Sequence, residues 1–341
     1  MKTGILLINL GTPKSPSKKH VREYLTEFLN DPYVIDLPAL KRFFLVNFII
    51  VPFRASNSAR LYKKIWTQEG SPLLVHGLAL KNKLQEKLGG GFVVELAMRY
   101  QEPPIETALK NLSRQNLSQI IVIPLYPQYA ASSTFSTIEK VKKMALRFVN
   151  LPKLQFVEQF YDHPLFIKAW VHKAENYHIS QYDHVLFSFH GLPERHLKKL
   201  HGNGSCADYH CEKEVNDKNG YCYKAASFET ARLIANQLNL KPDDYTVSFQ
   251  SRLGREEWIK PYTDHVIVER AKAGIKKMLV FSPAFVADCL ETLYEIGEEC
   301  QELFKANGGE RIQLVEGLNA DDLWVTALED IIAKKLLISA I

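Results

Sequence analysis

The sequence predicts an α/β protein made of two doubly wound domains, each containing a parallel β-sheet. Short apolar runs, which are typical of buried parallel strands, alternate with segments of helical periodicity, and this alternation indicates βαβ units. The pattern runs through residues 1–150 and begins again after residue 150. A chain of 341 residues is long enough for two domains of ordinary size, so each repetition of the pattern is predicted to form one domain.

The first strand sets the pattern of the N-terminal half. Residues 5–10 form an apolar run that ends at Gly11-Thr12-Pro13, which predicts a buried strand followed by a turn. Residues 17–29 have helical periodicity, and Asn30-Asp31-Pro32 ends that helix. The other elements predicted before residue 150 are helices at 70–88 and 105–114 and strands at 92–98 and 120–125.

The same kind of alternation returns in the C-terminal half. Strands are predicted at 154–160, 184–189, 245–250 and 277–281, and helices at 163–177, 227–238, 285–306 and 320–336. We therefore expect an N-terminal domain at 1–150 and a C-terminal domain at 151–319. The last segment, 320–341, is expected to form a helix that packs back on the N-terminal half.

The composition is that of a globular protein outside the nucleic-acid-binding classes. The formal net charge of +5 is mild, and the chain has no arginine-rich arm, so nucleic acid is not an expected partner. Five cysteines, an odd number, and an N-terminus too short for a signal peptide indicate a reducing compartment, and the expected location is the cytoplasm. No apolar run reaches the roughly 18 residues that span a bilayer. The first turn lacks the GxGxxG fingerprint, which disfavours a dinucleotide oxidoreductase.

Residues 37–53 form a strongly apolar segment with two basic residues, Lys41 and Arg42, near its start. One interpretation is a buried helix. The other is an exposed apolar lip that lines a large flat ligand or enters a membrane interface. The residues alone leave both interpretations open.

His190 ends the strand predicted at 184–189, because Gly191 and Pro193 cannot continue it. In open α/β sheets, ligands bind at the carboxyl ends of the strands. A neutral imidazole at such an edge can bind a borderline metal ion or accept a proton near pH 7. The alternative is an ordinary surface or core histidine, since the chain has 11.

A second group of candidate residues is acidic and lies in the helix predicted at 285–306. Its members are Asp288, Glu291, Glu295, Glu298, Glu299 and Glu302. Glu291, Glu295 and Glu299 are four residues apart and therefore share a face. One interpretation is a solvated acidic face. The other is a path for a divalent cation that begins beside His190, where a carboxylate would also suit proton removal from a weakly acidic N–H.

The chain resembles the ferrochelatase family, whose members insert ferrous iron into a porphyrin to make haem. The matching stretches occur in family order and at family spacing. They are Leu7-Ile8-Asn9-Leu10-Gly11-Thr12-Pro13, Pro124-Leu125-Tyr126-Pro127-Gln128-Tyr129, Ser188-Phe189-His190-Gly191-Leu192-Pro193, Phe249-Gln250-Ser251-Arg252-Leu253-Gly254, Trp258 with Pro261, and Glu291-Thr292-Leu293-Tyr294-Glu295.

The resemblance implies a fold and a site. The family has two Rossmann-like domains with a porphyrin cleft between them, the chelatase fold. It implies that His190 and Glu291 are the catalytic pair that contacts the metal, and that Glu295 and Glu299 continue an acidic path along a helix with a π-bulge. Three further residues are implied to contact the substrate, and these are Leu10, Tyr126 and Trp258.

The resemblance also implies the substrates and the surroundings of the enzyme. Family members that use coproporphyrin III tend to carry Tyr at the position of Leu10, so Leu10 favours protoporphyrin IX. Ferrous iron is the second substrate. Residues 37–53 match the family's apolar lip, which implies peripheral contact with the inner membrane. The rival functions are a non-catalytic porphyrin or haem carrier and a related chelatase that loads cobalt or nickel into another tetrapyrrole.

The chain departs from the family pattern at two places that concern metal binding. Many members have a histidine where this chain has Cys289, which is either a soft ligand or a small buried residue. Some members carry a 2Fe-2S cluster, but this chain has Ala131 at the internal position of that cluster and no cysteine after Cys300.

A separate group of cysteines lies between residues 202 and 223 and consists of Cys206, Cys211 and Cys222. It resembles the internal cluster segment of another bacterial subgroup, in which four cysteines act. The alternatives are a 2Fe-2S cluster, a zinc ion and no metal. A cluster would need a fourth ligand, either His210 or a residue from elsewhere in the chain.

Overall fold

The protein is described here from a computed structural model, which covers residues 2–202, 204–252, 254 and 256–338. The described residues form two compact units. The first unit contains residues 2–126, 130–159 and 319–338, and the second contains Pro127–Tyr129 and Phe160–Leu318.

The strands are, in chain order, β1 Lys2–Gly11, β2 Phe92–Tyr100, β3 Leu117–Pro124, β4 Lys153–Phe156, β5 His184–His190, β6 Tyr245–Gln250, β7 Lys277–Phe281 and β8 Arg311–Leu314. Within the described residues they form two four-stranded parallel sheets, with the orders β2-β1-β3-β4 and β6-β5-β7-β8. The predicted fold class, α/β with two doubly wound parallel sheets, is therefore confirmed.

The α-helices are, in chain order, α1 Lys18–Leu29, α2 Ala39–Phe44, α3 Val51–Ile65, α4 Pro72–Leu88, α5 Ile105–Ser113, α6 Ser136–Ala145, α7 Pro164–Glu175, α8 Glu194–Leu200, α9 Tyr223–Gln237, α10 Thr263–Lys272, α11 Gln301–Ala306 and α12 Asp322–Ile338. Among the residues described, three segments are π-helical and follow the i→i+5 pattern, and these are Leu45–Ile50, Ala131–Phe135 and Glu291–Cys300.

Each sheet is buried by the helices that connect its strands. In the first unit, Leu6 and Val122 of the sheet pack with Leu109 of α5 and Val141 of α6. In the second unit, the strand residues Leu186, Met278 and Val280 pack with Ile267 of α10 and with the helix that ends at residue 306. Because both faces are covered, the strands are apolar along their whole length, which is the pattern that made them recognisable in the sequence.

The first unit extends past the expected boundary and also contains the C-terminal helix. Strand β4 pairs with β3, so the first unit continues to Gln159, beyond the expected boundary at residue 150. Helix α12 belongs to the same unit and packs on α4, with Trp324 and Leu328 buried. Lys83 reaches Asp322 at 2.8 Å across this pair of helices.

The predicted helix at 285–306 is wrong at its start. Residues 282–289 are irregular, and the helix begins at Leu290. The backbone N–H of Gly317 donates to the Asp288 carboxylate at 3.2 Å, and the hydroxyl of Thr292 does the same at 3.2 Å. These bonds hold Asp288 in a turn before the helix, so Asp288 is not part of the acidic helix face.

Residues 37–53, called the apolar lip from here on, are helical and exposed. The segment comprises α2, the π-helix Leu45–Ile50 and the first turn of α3. Leu40 is 70% exposed, Phe48 63% and Phe53 81%. Within this segment, which is described throughout, only Val46 and Val51 are buried. The interpretation of a buried helix is therefore wrong. Among the described helices, none combines the length and hydropathy that crossing a bilayer requires.

Candidate functional site

His190 lies at the carboxyl end of β5, as the sequence predicted. Its register partner on β6 is Gln250, and the next residue, Gly191, donates its backbone N–H to the Gln250 carbonyl at 2.7 Å. A Cβ at position 191 would lie 2.7 Å from that same oxygen, which is closer than real Cβ atoms approach. Only glycine therefore allows the chain to turn so tightly behind His190.

The tautomer of His190 follows from one hydrogen bond. Its Nδ1 lies 2.6 Å from the carbonyl oxygen of Gly191. A carbonyl can only accept, so Nδ1 carries the proton and donates it. In the neutral ring, Nε2 then keeps its lone pair and can accept a proton or contact a metal ion.

Burial lowers the pKa of His190 below its usual range. The carboxylate of Glu291 and the carbonyl of Gly191 both act in the opposite direction, but burial outweighs them. The imidazole is therefore neutral at pH 7. Gln250, the register partner of His190, donates its side-chain amide to the backbone carbonyl of Glu291 at 3.0 Å, so the two predicted partners lie at the same edge of the sheet.

Glu291 and Glu295 project from the π-helix Glu291–Cys300, which carries the bulge that the resemblance implied. Glu295 accepts hydrogen bonds from the Ser251 hydroxyl and, at 3.2 Å, from the side-chain amide of Gln250. Burial, followed by the charge of Glu291, raises the pKa of Glu295 to about 7. Glu299 is exposed, so the three carboxylates run from the protein interior to the surface.

Gln250 is a functional residue for which the sequence analysis assigned no role. Its amide nitrogen donates to the backbone carbonyl of Glu291 at 3.0 Å as well as to Glu295. Its amide oxygen accepts a hydrogen bond from the hydroxyl of Ser188 at 2.7 Å. The hydroxyl oxygens of Ser188 and Thr263 are 2.9 Å apart. This buried network fixes the orientation of the Gln250 amide, and so it joins the end of β5 to the acidic helix.

Cys289 occupies a buried position next to the acidic helix. Burial raises the pKa of its thiol well above the usual range, and the carboxylate of Glu291 adds to this. Cys289 is therefore a neutral thiol at pH 7. Its backbone N–H donates to the hydroxyl of Thr292 at 3.0 Å, which helps to start the helix.

Trp258 lies near His190 in the second unit. Its ring atom Cε3 is 3.2 Å from the position that a Cβ on Gly191 would take, and Ile259 donates to the carbonyl of Leu192 at 2.9 Å. The structure therefore places Trp258 at the same edge as His190, Glu291 and Glu295.

Leu10 and Tyr126 belong to the first unit. Leu10 is the penultimate residue of β1 and is half-buried, and its backbone N–H donates to the side chain of Asn9 at 2.8 Å. Tyr126 follows β3, and burial of its hydroxyl raises its pKa above the usual range. Both residues thus lie at the carboxyl ends of strands of the first sheet.

The three cysteines of the loop between α8 and α9 come together with a histidine. The ligand atoms of His201, Cys206, Cys211 and Cys222 all lie within 4.8 Å of one another. His201 ends α8, and Cys222 is the residue before α9. Hydrogen bonds from the other two thiols lower the pKa of Cys222. His210, the fourth ligand considered from the sequence, is exposed and outside this group.

Comparison with known proteins identifies one family. The model of the family described as ferrochelatase matches residues 2–336. A ferrochelatase of Coxiella burnetii is 46% identical over 343 residues, covering 98% of this chain and 94% of that protein. A ferrochelatase of Ectopseudomonas mendocina is 46% identical, covering 95% of this chain and 96% of that protein, and one of Bdellovibrio bacteriovorus is 44% identical, covering 97% and 98%.

The fold also resembles that of two solved structures. The sirohydrochlorin chelatase SirB of Bacillus subtilis subspecies spizizenii, in complex with cobalt, aligns with a TM-score of 0.57 at 13% identity. The alignment covers 98% of this chain and 95% of that one. SirB from Bacillus subtilis with Fe3+ aligns with a TM-score of 0.53 at 15% identity, covering 98% and 96%. These two likenesses concern the chelatase fold, in agreement with the fold expected from the sequence.

Proposed function

Because the chain belongs to the ferrochelatase family, the metal chelatases of the lyase class that act in haem biosynthesis, we propose that it inserts ferrous iron into protoporphyrin IX to give haem. The observation that carries this assignment is that His190, with the lone pair of Nε2 available, and Glu291 lie at the same sheet edge. A base and a carboxylate at one sheet edge match the chemistry that metal insertion requires.

The reaction needs two pyrrole protons to leave as the ferrous ion enters. A neutral His190 can accept one of them on Nε2 and contact the incoming metal, since Nδ1 is held by the Gly191 carbonyl. A flat macrocycle keeps its nitrogen lone pairs in plane and resists metal entry. We propose that binding energy from the rest of the porphyrin bends the ring and so exposes these lone pairs.

The acidic helix face supplies the route for the iron. Glu299 is exposed, whereas Glu295 and Glu291 are half-buried, so the carboxylates form a series of oxygen ligands from solvent towards His190. With a pKa of about 7, Glu295 is close to half-ionised at neutral pH. The arrival of a dication favours its ionised form, so a protonated Glu295 releases its proton as the iron binds and offsets one of the two positive charges that arrive.

Leu10 supports protoporphyrin IX rather than coproporphyrin III as the substrate. An apolar side chain at the end of β1 suits the less charged porphyrin, which has fewer carboxylates for polar groups to bind. We expect Leu10→Tyr to lower kcat/KM for protoporphyrin IX relative to coproporphyrin III. If the ratio of the two kcat/KM values is unchanged, Leu10 does not determine which porphyrin the protein prefers.

The apolar lip supports contact with a membrane surface. It exposes aromatic and aliphatic side chains beside Lys41 and Arg42, a combination that suits the interface of an anionic bilayer. We propose that the protein binds peripherally to the inner membrane through this lip, where an apolar porphyrin substrate is concentrated.

The test of the chelatase assignment is anaerobic incubation with ferrous ion and protoporphyrin IX, followed by haem absorbance. We expect His190→Ala and Glu291→Gln each to lower kcat by about 100-fold or more, the usual contribution of a positioned acid or base. His172→Ala, which replaces an exposed histidine, should leave the rate unchanged. Porphyrin binding without turnover by the parent protein would favour a carrier instead.

A further inference from the structure

The loop between α8 and α9 contains a group of side chains that the chelatase reaction does not use. We propose that His201, Cys206, Cys211 and Cys222 bind a single zinc ion in a closed tetrahedral site, through the Nε2 of His201 and three thiolate sulfurs. A set of three cysteines and one histidine is a donor set typical of structural zinc. This site is separate from the porphyrin chemistry, and zinc is one of the three alternatives that the sequence left open beside a 2Fe-2S cluster and no metal.

The distances between the donor atoms support one tetrahedral ion. Two sulfurs bound to zinc at about 2.3 Å are roughly 3.8 Å apart at the tetrahedral angle, and a sulfur and an imidazole nitrogen are roughly 3.6 Å apart. The sulfurs of Cys206 and Cys222 are 3.8 Å apart. The sulfur of Cys211 and the Nε2 of His201 are 3.6 Å apart. These two pairs are opposite edges of one coordination tetrahedron.

The same distances do not fit two irons. In a 2Fe-2S cluster, two ligands bind each iron and the bridging sulfides separate the irons, so ligands of different irons must lie well beyond one tetrahedral edge. Here all four donor atoms lie within 4.8 Å of one another. A two-iron centre would have to push the loop apart, whereas one ion fits between the donors as they stand.

The surroundings of His201 hold its ring in the orientation that a ligand needs. The side chain is 5% exposed, and its ring stacks on the ring of Tyr209 with centroids 4.4 Å apart and an angle of 14°. The hydroxyl of Tyr209 donates to the backbone carbonyl of His201 at 3.3 Å. His210 follows Tyr209 directly but has a positive φ of 54° and lies exposed, which turns it away from the sulfurs.

The ion would join the end of α8, the loop that holds Cys206 and Cys211, and the start of α9. Within the described residues of this region, the loop is otherwise held by short-range hydrogen bonds. The backbone N–H of Cys211 donates to the carbonyl of Cys206 at 3.0 Å. The side-chain amide of Asn219 donates to the backbone carbonyls of Tyr209 and Glu214. His201 and Cys222 belong to the ends of the two flanking helices. A metal cross-link between these ends closes the loop and stabilises the folded state.

The site also has a connection to the active-site edge. Tyr223, the first residue of α9, follows the ligand Cys222, is buried, and packs near the ring of Phe249 on β6, with centroids 6.5 Å apart. Zinc would therefore hold the end of a helix that packs on the strand next to β5. The role of the zinc ion is structural, because protein ligands fill all four of its coordination positions and none is left open for a substrate.

The first test is the metal content of the full chain, purified without a metal-affinity column. The measurement uses His190→Ala as well as the parent protein, so that zinc at the chelatase site is not counted. We expect one zinc ion per chain in both, without acid-labile sulfide or the visible absorption of a cluster. Iron and sulfide in equal amounts, or no tightly bound metal, would overturn the proposal.

The second test compares matched variants. His201→Asn and Cys206→Ser should lose the zinc and lower Tm by at least about 5 °C, because the metal contributes to folding. His210→Asn keeps a residue that tolerates positive φ, and Cys289→Ser alters a cysteine outside the loop, so both should retain zinc. If a ligand variant fails to fold, cobalt replacement in the parent protein decides, since thiolate-to-cobalt absorption requires the cysteines. Zinc retained by His201→Asn, or no such absorption, would contradict the site.

Discussion

The hydroxyl of Ser251 donates a hydrogen bond to the carboxylate of Glu295. Ser251 does so from a backbone conformation with a φ of 65°, directly after the end of β6. This bond favours the ionised carboxylate, whereas burial and the charge of Glu291 favour the protonated form. The balance leaves the pKa of Glu295 at about 7, where a small change at Ser251 alters the charge of the acidic path.

Ser251→Gly should move the acid limb of the pH–activity profile. Loss of the hydroxyl removes a bond to the ionised form, so the pKa of Glu295 rises above about 7 and iron transfer requires a higher pH. A hydrogen bond to a charged group contributes about 1.5 kcal/mol or more, which corresponds to a shift of about one pH unit. The measurement is kcat/KM for ferrous ion between pH 5.5 and 9.

The control for this shift is Asn239→Gly. It also places glycine at a residue with positive φ, 56°, but far along the chain from the acidic helix. Its profile should match that of the parent protein. If the Ser251→Gly profile is also unchanged, Glu295 is not the group that limits the reaction at low pH.

Gly191→Ala should lower both stability and activity. The new Cβ would lie 2.7 Å from the Gln250 carbonyl oxygen, so the end of β5 must move. Overpacking of this kind typically destabilises by about 1–3 kcal/mol. Urea unfolding measures this loss, and haem formation should fall because His190 is displaced with its neighbour.

Gly90→Ala provides the matched comparison. A Cβ at position 90 would meet no atom within 4 Å, and the residue does not require a positive φ. It should leave the free energy of unfolding and the activity nearly unchanged. Equal stability of the two variants would show that the turn at Gly191 is less constrained than its geometry indicates.

His184 should make stability depend on pH in the acid range. Burial, with the nearby charge of Arg270, lowers its pKa in the folded state to about 4, compared with about 6.5 when unfolded. Between these values the unfolded chain binds more protons, so the free energy of unfolding falls as the pH is lowered from 6.5 to 4. The loss from this residue is about 3 kcal/mol at most, and above pH 6.5 the residue has no effect.

Urea unfolding at pH 7.5, 5.5 and 4.5 measures this dependence. His184→Gln can still bond the hydroxyl of Thr246, which lies 2.8 Å from His184 Nε2, but it cannot be protonated. The difference in stability between parent and variant should therefore change with pH below 6.5. A constant difference at all three pH values would rule out His184 as the source.

Replacing two aromatic residues of the apolar lip should weaken membrane binding. Phe48 and Phe53 are 63% and 81% exposed, and they would bury apolar area in the bilayer interface. We expect Phe48→Ser with Phe53→Ser to reduce co-sedimentation with anionic phospholipid vesicles by about tenfold or more. Leu146→Ser, at an 88% exposed position outside the lip, should have no effect. If the parent protein and the double variant bind the vesicles equally, the lip is not the contact surface.

The sequence predicted the elements whose signal is local. Strands such as β1 and β5 are apolar along their length and end at glycine or proline, so their positions and the placement of His190 could be read directly. The elements that were missed are amphipathic, and these are α3, of 15 residues, and the shorter α6, α8, α10 and β8. Their apolar residues are too few to stand out before the packing partners are known.

The sequence could not supply contacts between distant segments. Gln250 and Glu295 are 45 residues apart, and Ser251 acts through a positive φ that no residue type specifies. From composition, His201 and His210 are equally plausible ligands. The fold separates them, because the ligand atom of His201 lies among the three sulfurs whereas His210 is exposed. The irregular turn before Leu290 likewise depends on Gly317, which lies beyond the helix.

The position of α12 in the chain has a consequence for how the protein is made. This helix covers α4 in the first unit, yet the ribosome synthesises it after the whole second unit. The contacts between α4 and α12, which bury Trp324 and Leu328, can therefore form only after about 160 residues of the second unit have been synthesised. The last helix to leave the ribosome is thus the one that completes the first unit.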